Sequence, residues 1–148
     1  MEFTKNRFTR IARYEVKLMI HFTIPLTPVS KKNSQQILLN HSSGKPFIMP
    51  SKKYKEYEEN VGWLIPPKLR NANINIPCEV KCLFYMPTRR KCDLPNMTNA
   101  IDDILVKYGV FEDDNYTIIE SHDGSRIYVD ADNPRTEVYI SLISETQH

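Results

Sequence analysis

The sequence between residues 89 and 119 constrains the fold more than any other part of the chain. Its central part has apolar side chains at helical spacing, which predicts a helix with one apolar stripe made of Ile101, Ile104, Leu105 and Tyr108. The other face is polar and carries Asn96, Asn99, Asp103 and Lys107. Pro95 fits the first turn of such a helix, because its missing N–H group is not needed there. We therefore predict a helix from Asn96 to Tyr108.

Carboxylates stand on both sides of this predicted helix. Asp93 precedes it, and the pair Asp113 and Asp114 follows it after a turn at Gly109. The helix would rise about 18 Å, and an extended segment from Val110 to Asp114 could travel back about 20 Å. Asp93 and Asp114 are therefore predicted to share one end of the helix, where they could bind a hard divalent cation. The spacing alone leaves a simpler interpretation open, in which Asp93 only caps the helix and the acidic pair only forms a turn.

These residues resemble the motif of the RusA family of Holliday-junction endonucleases. In the family pattern, D-x-D-N is followed by a Lys, a further Asp, a short apolar helix, a Gly and an acidic pair before a strand. The positions that match without a gap are Asp93, Asn96, Asp103, Gly109, Asp113 and Asp114. Two positions differ, since Pro95 stands where the family has the second Asp, and Asn99 stands where it has the Lys. A looser similarity covers residues 16–143.

The resemblance implies a Mg²⁺-dependent endonuclease, with Mn²⁺ as a substitute, that resolves four-way DNA junctions as a homodimer. Asp93 and Asp114 would bind the metal, and Asp113 and Asn96 would complete the catalytic set. Asp103 would support them from behind, bonding Asn99 one turn back.

The two differences from the family pattern leave two other functions open. The chain could be a weakened relative that binds branched DNA without cutting it, or a protein-binding regulator with the same fold. Pro95 removes one expected metal carboxylate, and Asn99 removes a positive charge that would steady the attacked phosphate.

Basic side chains that could contact DNA phosphates occur in three places: a loop, the first turn of a helix, and the triplet before Asp93. They are Lys31, Lys32, Lys52, Lys53, Arg89, Arg90 and Lys91. The net charge is only +2, so a DNA site must be a local patch. If another cation replaces the missing family Lys, the triplet or the loop pair Lys31 and Lys32 must supply it.

Length and cysteine content limit the remaining possibilities. A chain of 148 residues suits one domain, and we place that domain at residues 15–148, after a basic and flexible segment at residues 1–14. The three cysteines lack C-x-x-C spacing, which argues against a disulfide framework or a zinc site. Free thiols and the absence of a long apolar run predict a cytoplasmic protein. The resemblance to the RusA family implies that this cytoplasm is that of a bacterium or a phage-infected host cell.

Alternating apolar residues predict the strands, and helical spacing predicts a second helix at residues 51–64. The predicted strands cover residues 16–24, 36–40, 47–49, 79–86, 116–121, 127–129 and 136–143. The sequence Asp123-Gly124-Ser125 favours a hairpin between two of them. This order predicts an α/β (α+β) fold, a single domain with a mixed β-sheet and two main helices packed on it.

Overall fold

The computed structural model describes residues 14–32 and 35–145. Its elements are β1 (Tyr14–Ile24), β2 (Gln35–Leu39), β3 (Pro46–Pro50), α1 (Lys52–Leu64), β4 (Cys78–Met86), α2 (Leu94–Lys107), β5 (Ile119–Ser121), β6 (Arg126–Val129) and β7 (Arg135–Glu145). The predicted α+β class is confirmed, with two helices and a mixed sheet. The predicted flexible segment lies outside the described residues, apart from Tyr14. No helix in the described part of the chain is long and apolar enough to span a membrane.

The main sheet has the order β1-β7-β4-β5, and β6 also pairs with β4. Strand β7 is antiparallel to both β1 and β4. Strands β1 and β4 therefore run in the same direction, and their carboxyl ends lie at the same edge of the sheet. The segments that follow these two strands are thereby brought together.

One face of the sheet is buried against both helices. In the cross-strand row Phe22, Val138 and Cys82, the side chains are paired in register and buried. They join a single core with the apolar stripe of α2, in which Ile101, Ile104 and Leu105 are buried as predicted. Burial of this stripe is the main force that holds α2 on the sheet.

The predicted hairpin at residues 123–125 is wrong. Strands β5 and β6 do not pair with each other; both run parallel to β4, one after the other along its free edge. The chain therefore runs in the same direction in β5 and in β6, and it leaves the edge of the sheet between them. Ser125 bridges this interruption, because its Oγ accepts a hydrogen bond from the backbone N–H of Cys82 at 3.0 Å. A turn signal in sequence is local, whereas the partner of each strand is decided by an exposed edge far away in sequence.

The ends of both helices follow from local chemistry. Ser51 caps α1 by accepting a hydrogen bond from the backbone N–H of Tyr54 at 3.1 Å. Helix α2 starts at Leu94, two residues earlier than predicted, and Asp93 is its N-cap residue without a side-chain capping bond. It ends in a Schellman arrangement at Gly109, where φ is +74° and Val110 N–H bonds to Leu105 O at 2.8 Å.

Strands β2 and β3 form a separate two-stranded sheet. Ile37 lies opposite Ile48, and these side chains are 75% and 63% exposed. Leu39 lies on the same face, two residues from Ile37, and is 65% exposed. The hairpin therefore presents a continuous apolar face to its surroundings.

Candidate active site

The N-terminus of α2 holds the first of the predicted site residues. Asp93 is exposed, and its Oδ2 accepts a hydrogen bond from Nδ2 of Asn96 at 3.3 Å. Pro95 occupies the first turn between them, as the sequence predicts. Asn96 therefore orients the Asp93 carboxylate, and it leaves one carboxylate oxygen of Asp93 free for a ligand.

The acidic pair after α2 lies in a loop, beyond a short extended part at Phe111. Phe111 makes one isolated bridge to Ile74, and residues 112–118 contain turns and bends. Asp113 accepts hydrogen bonds from the N–H of Asp114 at 2.7 Å and from Nδ2 of Asn115 at 2.9 Å. These bonds lower the pKa of Asp113 and tie its carboxylate to its own turn.

Asp114, in contrast, reaches α2. Burial raises the pKa of Asp103, the positive charge of Lys31 lowers it, and Asp114 raises it again through its charge and through a hydrogen bond between the two side chains. Asp114 therefore lies near Asp103 of α2. The predicted bond between Asp103 and Asn99, one turn back, stays a prediction.

This contact bears on the predicted metal pair. Asp93 precedes Asp103 by ten residues in sequence, which corresponds to about 15 Å along a helix axis. The structure thus brings Asp114 to the middle of α2, and a single ion bound by both Asp93 and Asp114 stays a prediction. Asp103, predicted from the sequence as a supporting residue, is the α2 carboxylate on which Asp114 acts.

A partly buried contact between Asp102 and His122 lies beside Asp103 on α2. Asp102 is 4% exposed, and its Oδ2 lies 2.8 Å from Nε2 of His122, in the turn between β5 and β6. Burial raises the pKa of Asp102, His122 lowers it, and the charge of Asp114 raises it further. The contact with Asp102 in turn raises the pKa of His122. The pair fixes the turn of residues 122–125 to α2.

Lys31 lowers the pKa of Asp103, whereas burial, Asp114 and the charge of Asp102 raise it. Its Nζ also lies 5.8 Å from the centre of the Tyr54 ring, a cation–π distance. Tyr54 is 1% exposed and lies in the first part of α1. Its burial and the charges of Glu58 and Asp103 raise its pKa, so Tyr54 lies near Asp103 as well.

Three of the predicted DNA-contacting residues line one open cleft of about 290 Å³: Lys53, Arg90 and Lys91. The cleft lies where β1 and β4 end, between residues 27–30 and residues 86–92. Met97 of α2 and Lys53 of α1 both line it, so the N-termini of the two helices meet there. Lys31, Lys32, Lys52 and Arg89 are exposed but lie outside this lining.

The donor set suits a hard cation that keeps part of its own water shell. Across residues 14–32 and 35–145, no three His, Cys, Asp or Glu side chains come together as a ready metal site. Mg²⁺ needs only one or two carboxylates, because water and substrate phosphates complete its octahedron. A bound cation would offset the like charges of Asp103 and Asp114. Asp103 and Asp114 therefore fit such an ion.

From the sequence, Lys31 was predicted as a DNA contact and as a candidate replacement for the family Lys. Tyr54, Asp102 and His122 were not assigned to the site. A local signal was present for Asp103, because Pro95, Asn99 and Asp103 follow each other at four-residue spacing on one helix face. The contacts of Lys31 and His122 join residues more than 15 positions apart, which no local pattern encodes.

The chain is similar in sequence to known proteins of one family. The family model described as endodeoxyribonuclease RusA matches residues 25–141. The chain is similar to the crossover junction endodeoxyribonuclease of Enterobacteria phage 82, with 29% identity over 94 residues, which is 64% of this chain and 72% of the relative. It is also 29% identical over 100 residues to the crossover junction endodeoxyribonuclease RusA of Aquifex aeolicus (strain VF5), covering 68% and 75% of the two chains. The protein of that name from Escherichia coli (strain K12) is 27% identical over 92 residues, covering 62% and 71%.

Proposed function

Because this chain belongs to the endodeoxyribonuclease RusA family, we propose that it is a DNA endonuclease that resolves four-way junctions by hydrolysing phosphodiesters. The observation that carries the proposal is the position of the basic cleft directly before Asp93 and α2, the helix that also bears Asp103. A site for phosphates thus adjoins the carboxylates that the reaction needs.

The cleft would bind the DNA backbone rather than read its bases. Lys53, Arg90 and Lys91 bring three positive charges to it, and the N-termini of α1 and α2 add their partial positive charge. Such contacts give affinity and orientation without sequence information. Selection of a junction over a linear duplex then comes from the shape of the branched DNA.

The reaction would depend on Mg²⁺, with Mn²⁺ as a substitute. A bound Mg²⁺ supplies an activated water and neutralises charge on the phosphate. In this chain, Asp114 and Asp103 would hold the Mg²⁺ ion. The sequence instead predicts Asp93 as the partner of Asp114. Asn96 keeps Asp93 in place through its hydrogen bond, and Asp102 with His122 supports the helix segment behind Asp103.

The proposed active form is a homodimer. A four-way junction has near two-fold symmetry, and paired cuts need two sites related by a two-fold axis. The β2–β3 hairpin supports this, because Ile37, Leu39 and Ile48 together expose an apolar face to which a second copy can offer the same face. An isolated two-stranded hairpin is marginally stable in water, so burial of this face would also stabilise the hairpin.

The dimer is tested by molar mass. Ile37→Glu with Ile48→Glu should shift the protein from dimer to monomer in size-exclusion chromatography with light scattering, since each change would bury an unpaired charge. Ser43→Glu in the hairpin turn is the matched control and should leave the molar mass unchanged. A monomeric wild-type protein at micromolar concentration would contradict the homodimer.

Two residues of the motif support a second function. Pro95 and Asn99 replace a carboxylate and a cation of the family motif, which favours a relative that binds branched DNA without cutting it. A protein-binding regulator on the same fold would bind no junction at all.

One set of assays separates these functions. We expect cleavage of a labelled four-way junction at paired sites in Mg²⁺ or Mn²⁺, and no cleavage of a linear duplex of the same sequence. Gel shifts in EDTA should show selective binding of the junction. Selective binding without cleavage in either metal would support the non-cutting relative, and absence of both would leave the regulator. The proposed substrate also places the protein in the cytoplasm, where bacterial and phage DNA are found.

A further inference from the structure

The basic cleft has an apolar floor beneath its charged rim. Val29 and Met97 line it and are only 9% and 2% exposed, and Met86 and Pro87 are half-buried in the same lining. The three basic side chains of the lining are exposed. A phosphate is bound by charge and hydrogen bonds, so the rim alone accounts for a contact with the DNA backbone. The floor indicates a ligand that has an apolar surface as well.

The floor is fixed by the fold. Met86 is the last residue of β4, Met97 lies in the first turn of α2, and Val29 follows β1. Val29 and Met97 belong to the buried core, and Met86 packs against it. The floor is therefore formed before any ligand binds. Methionine side chains are flexible and polarisable, so they can adapt to the face of a flat ring.

The size and position of the cleft suit a single nucleotide. Its volume of about 290 Å³ is near the lower end of the range of about 300–1,000 Å³ that is typical of small-molecule sites. Cys92 also lines the cleft and is adjacent to Asp93 in sequence. A nucleotide with its base on the floor can therefore place a phosphate on the basic rim, next to Asp93.

Branched DNA offers such a nucleotide. In a continuous duplex the flat faces of the bases are covered by their neighbours, so phosphates are what the duplex presents to a cleft. At a branch point the stack is interrupted, and taking a base out of it costs less there than within a duplex.

We infer that the cleft holds one unstacked nucleotide of the branch point, with its base on the floor formed by Val29, Met86, Pro87 and Met97 and its phosphate on the basic rim. This inference rests on the proposed action on four-way junctions. Packing against apolar side chains is open to all four bases. The cleft thus distinguishes a branch point from a linear duplex without reading the identity of the base.

The test uses 2-aminopurine, a fluorescent base whose emission is quenched when it is stacked. It is placed in turn at each branch-point position of a four-way junction, in EDTA so that no cleavage occurs. At saturating wild-type protein, the fluorescence of one branch-point position should rise at least about threefold, because this base leaves the stack. 2-Aminopurine in the middle of an arm should not respond. Absence of a rise at every branch-point position would overturn the inference.

Met86 makes the test specific to the floor. Met86→Gln keeps the length of the side chain but places a polar amide on the floor, and it should lower the fluorescence rise at saturating protein by at least about half. Met86→Leu stays apolar and should keep most of the rise. Met19→Gln is the matched control, because Met19 is 61% exposed on β1 and lies outside the lining of the cleft. Equal rises for Met86→Gln and wild type would contradict the proposed position of the base.

A second measurement needs no variant and so does not depend on the folding of Met86→Gln. A base held on the floor should be shielded from the quencher acrylamide, whereas a base that is merely released into solvent should be quenched like a free nucleotide. Full access of acrylamide to the bright base in the wild-type complex would overturn the inference.

These measurements also separate the inference from the proposed function. If the wild type cuts junctions but brightens no branch-point base, the inference fails and the endonuclease proposal stands. If it cuts no junction in Mg²⁺ or Mn²⁺, yet one branch-point base becomes bright and shielded, the endonuclease proposal fails and the inference stands. A protein that does not bind the junction would overturn both.

Discussion

His122 Nε2 lies 2.8 Å from Asp102 Oδ2 and so joins the turn between β5 and β6 to the middle of α2. Neither residue belongs to the family motif that identified the chain. Asp102 is adjacent to Asp103 and responds to the charge of Asp114. The pair therefore holds the turn between β5 and β6 next to the α2 segment that carries Asp103.

The stability that His122 contributes should depend on pH. The contact with Asp102 raises the pKa of His122 above its ordinary value of 6.5. The folded state then holds this proton more tightly than the unfolded state does, so the contribution is fully present below pH 6.5 and is lost as the pH rises through the folded pKa. The melting temperature of wild type in EDTA should exceed that of His122→Gln at pH 5.5, and the difference should shrink towards pH 9.

His41→Gln is the control for this experiment, because His41 is exposed in the β2–β3 turn. It should show no pH-dependent difference from wild type. A constant difference in melting temperature between wild type and His122→Gln from pH 5.5 to pH 9 would mean that the contact with Asp102 does not favour protonated His122.

Gly109 should tolerate no side chain. Its φ is +74°, and an added Cβ would lie 2.9 Å from Oδ1 and 3.0 Å from Cα of Asn71. Gly109→Ala should therefore lower the free energy of unfolding by about 2 kcal/mol or more, from backbone strain plus the clash. Urea denaturation measures this change.

Gly44 provides the matched comparison. Its φ is +66°, but an added Cβ would meet nothing within 4 Å. Gly44→Ala should thus cost only the strain, about 1 kcal/mol. If both variants lose the same stability, the close approach of Asn71 to the end of α2 has no energetic consequence.

The two helices could be predicted from sequence because their signals are local. Ser51 caps α1, Gly109 ends α2, and the apolar stripe of α2 is buried as its spacing indicates. The pairing of β5 and β6 could not be predicted in this way, since it depends on the free edge of β4, some 40 residues earlier in the chain.

The candidate site was predicted in part for the same reason. Asp93 and Asn96 contact each other within one helical turn, which sequence spacing captures. The path of residues 110–114 was predicted to be extended. It is extended at Phe111, which bridges to Ile74, and a bend follows at Glu112. This path decides that Asp114 meets Asp103, and only tertiary packing specifies it.

The basic cleft should determine how DNA affinity depends on salt. Arg90→Ala and Lys91→Ala should each make the slope of log K against log salt shallower by about 1, because each neutralised phosphate releases counterions. Lys68→Ala is the control, since Lys68 is exposed on the loop after α1. The measurement is junction binding in EDTA over a range of salt concentrations.

Arg89 tests whether DNA enters the cleft or runs along the outside of the basic triplet. It was predicted to contact DNA with the rest of the triplet, but it does not line the cleft. An unchanged salt slope for Arg90→Ala together with Lys91→Ala would show that DNA does not enter the cleft. A loss in Arg89→Ala alone would indicate a DNA path across the outside of the triplet.

The carboxylates should separate cleavage from binding. Asp93→Asn, Asp114→Asn and Asp103→Asn each remove a negative charge that the metal-dependent reaction is proposed to use. We expect each to lower the junction cleavage rate by about 100-fold or more. Junction affinity in EDTA should stay equal or rise slightly, because repulsion of the phosphates is reduced. Asp132→Asn, an exposed change in the turn after β6, should leave both quantities unchanged.

The pattern among the three variants tells which carboxylates hold the ion. If Asp103 and Asp114 form the metal pair, both variants should weaken Mn²⁺ binding in titrations without DNA, whereas Asp93→Asn should leave that affinity near the wild-type value. If Asp93 and Asp114 share the ion, as the family motif implies, Asp93→Asn should weaken Mn²⁺ binding instead of Asp103→Asn. Cleavage by all three variants at the wild-type rate would remove these carboxylates from the reaction altogether.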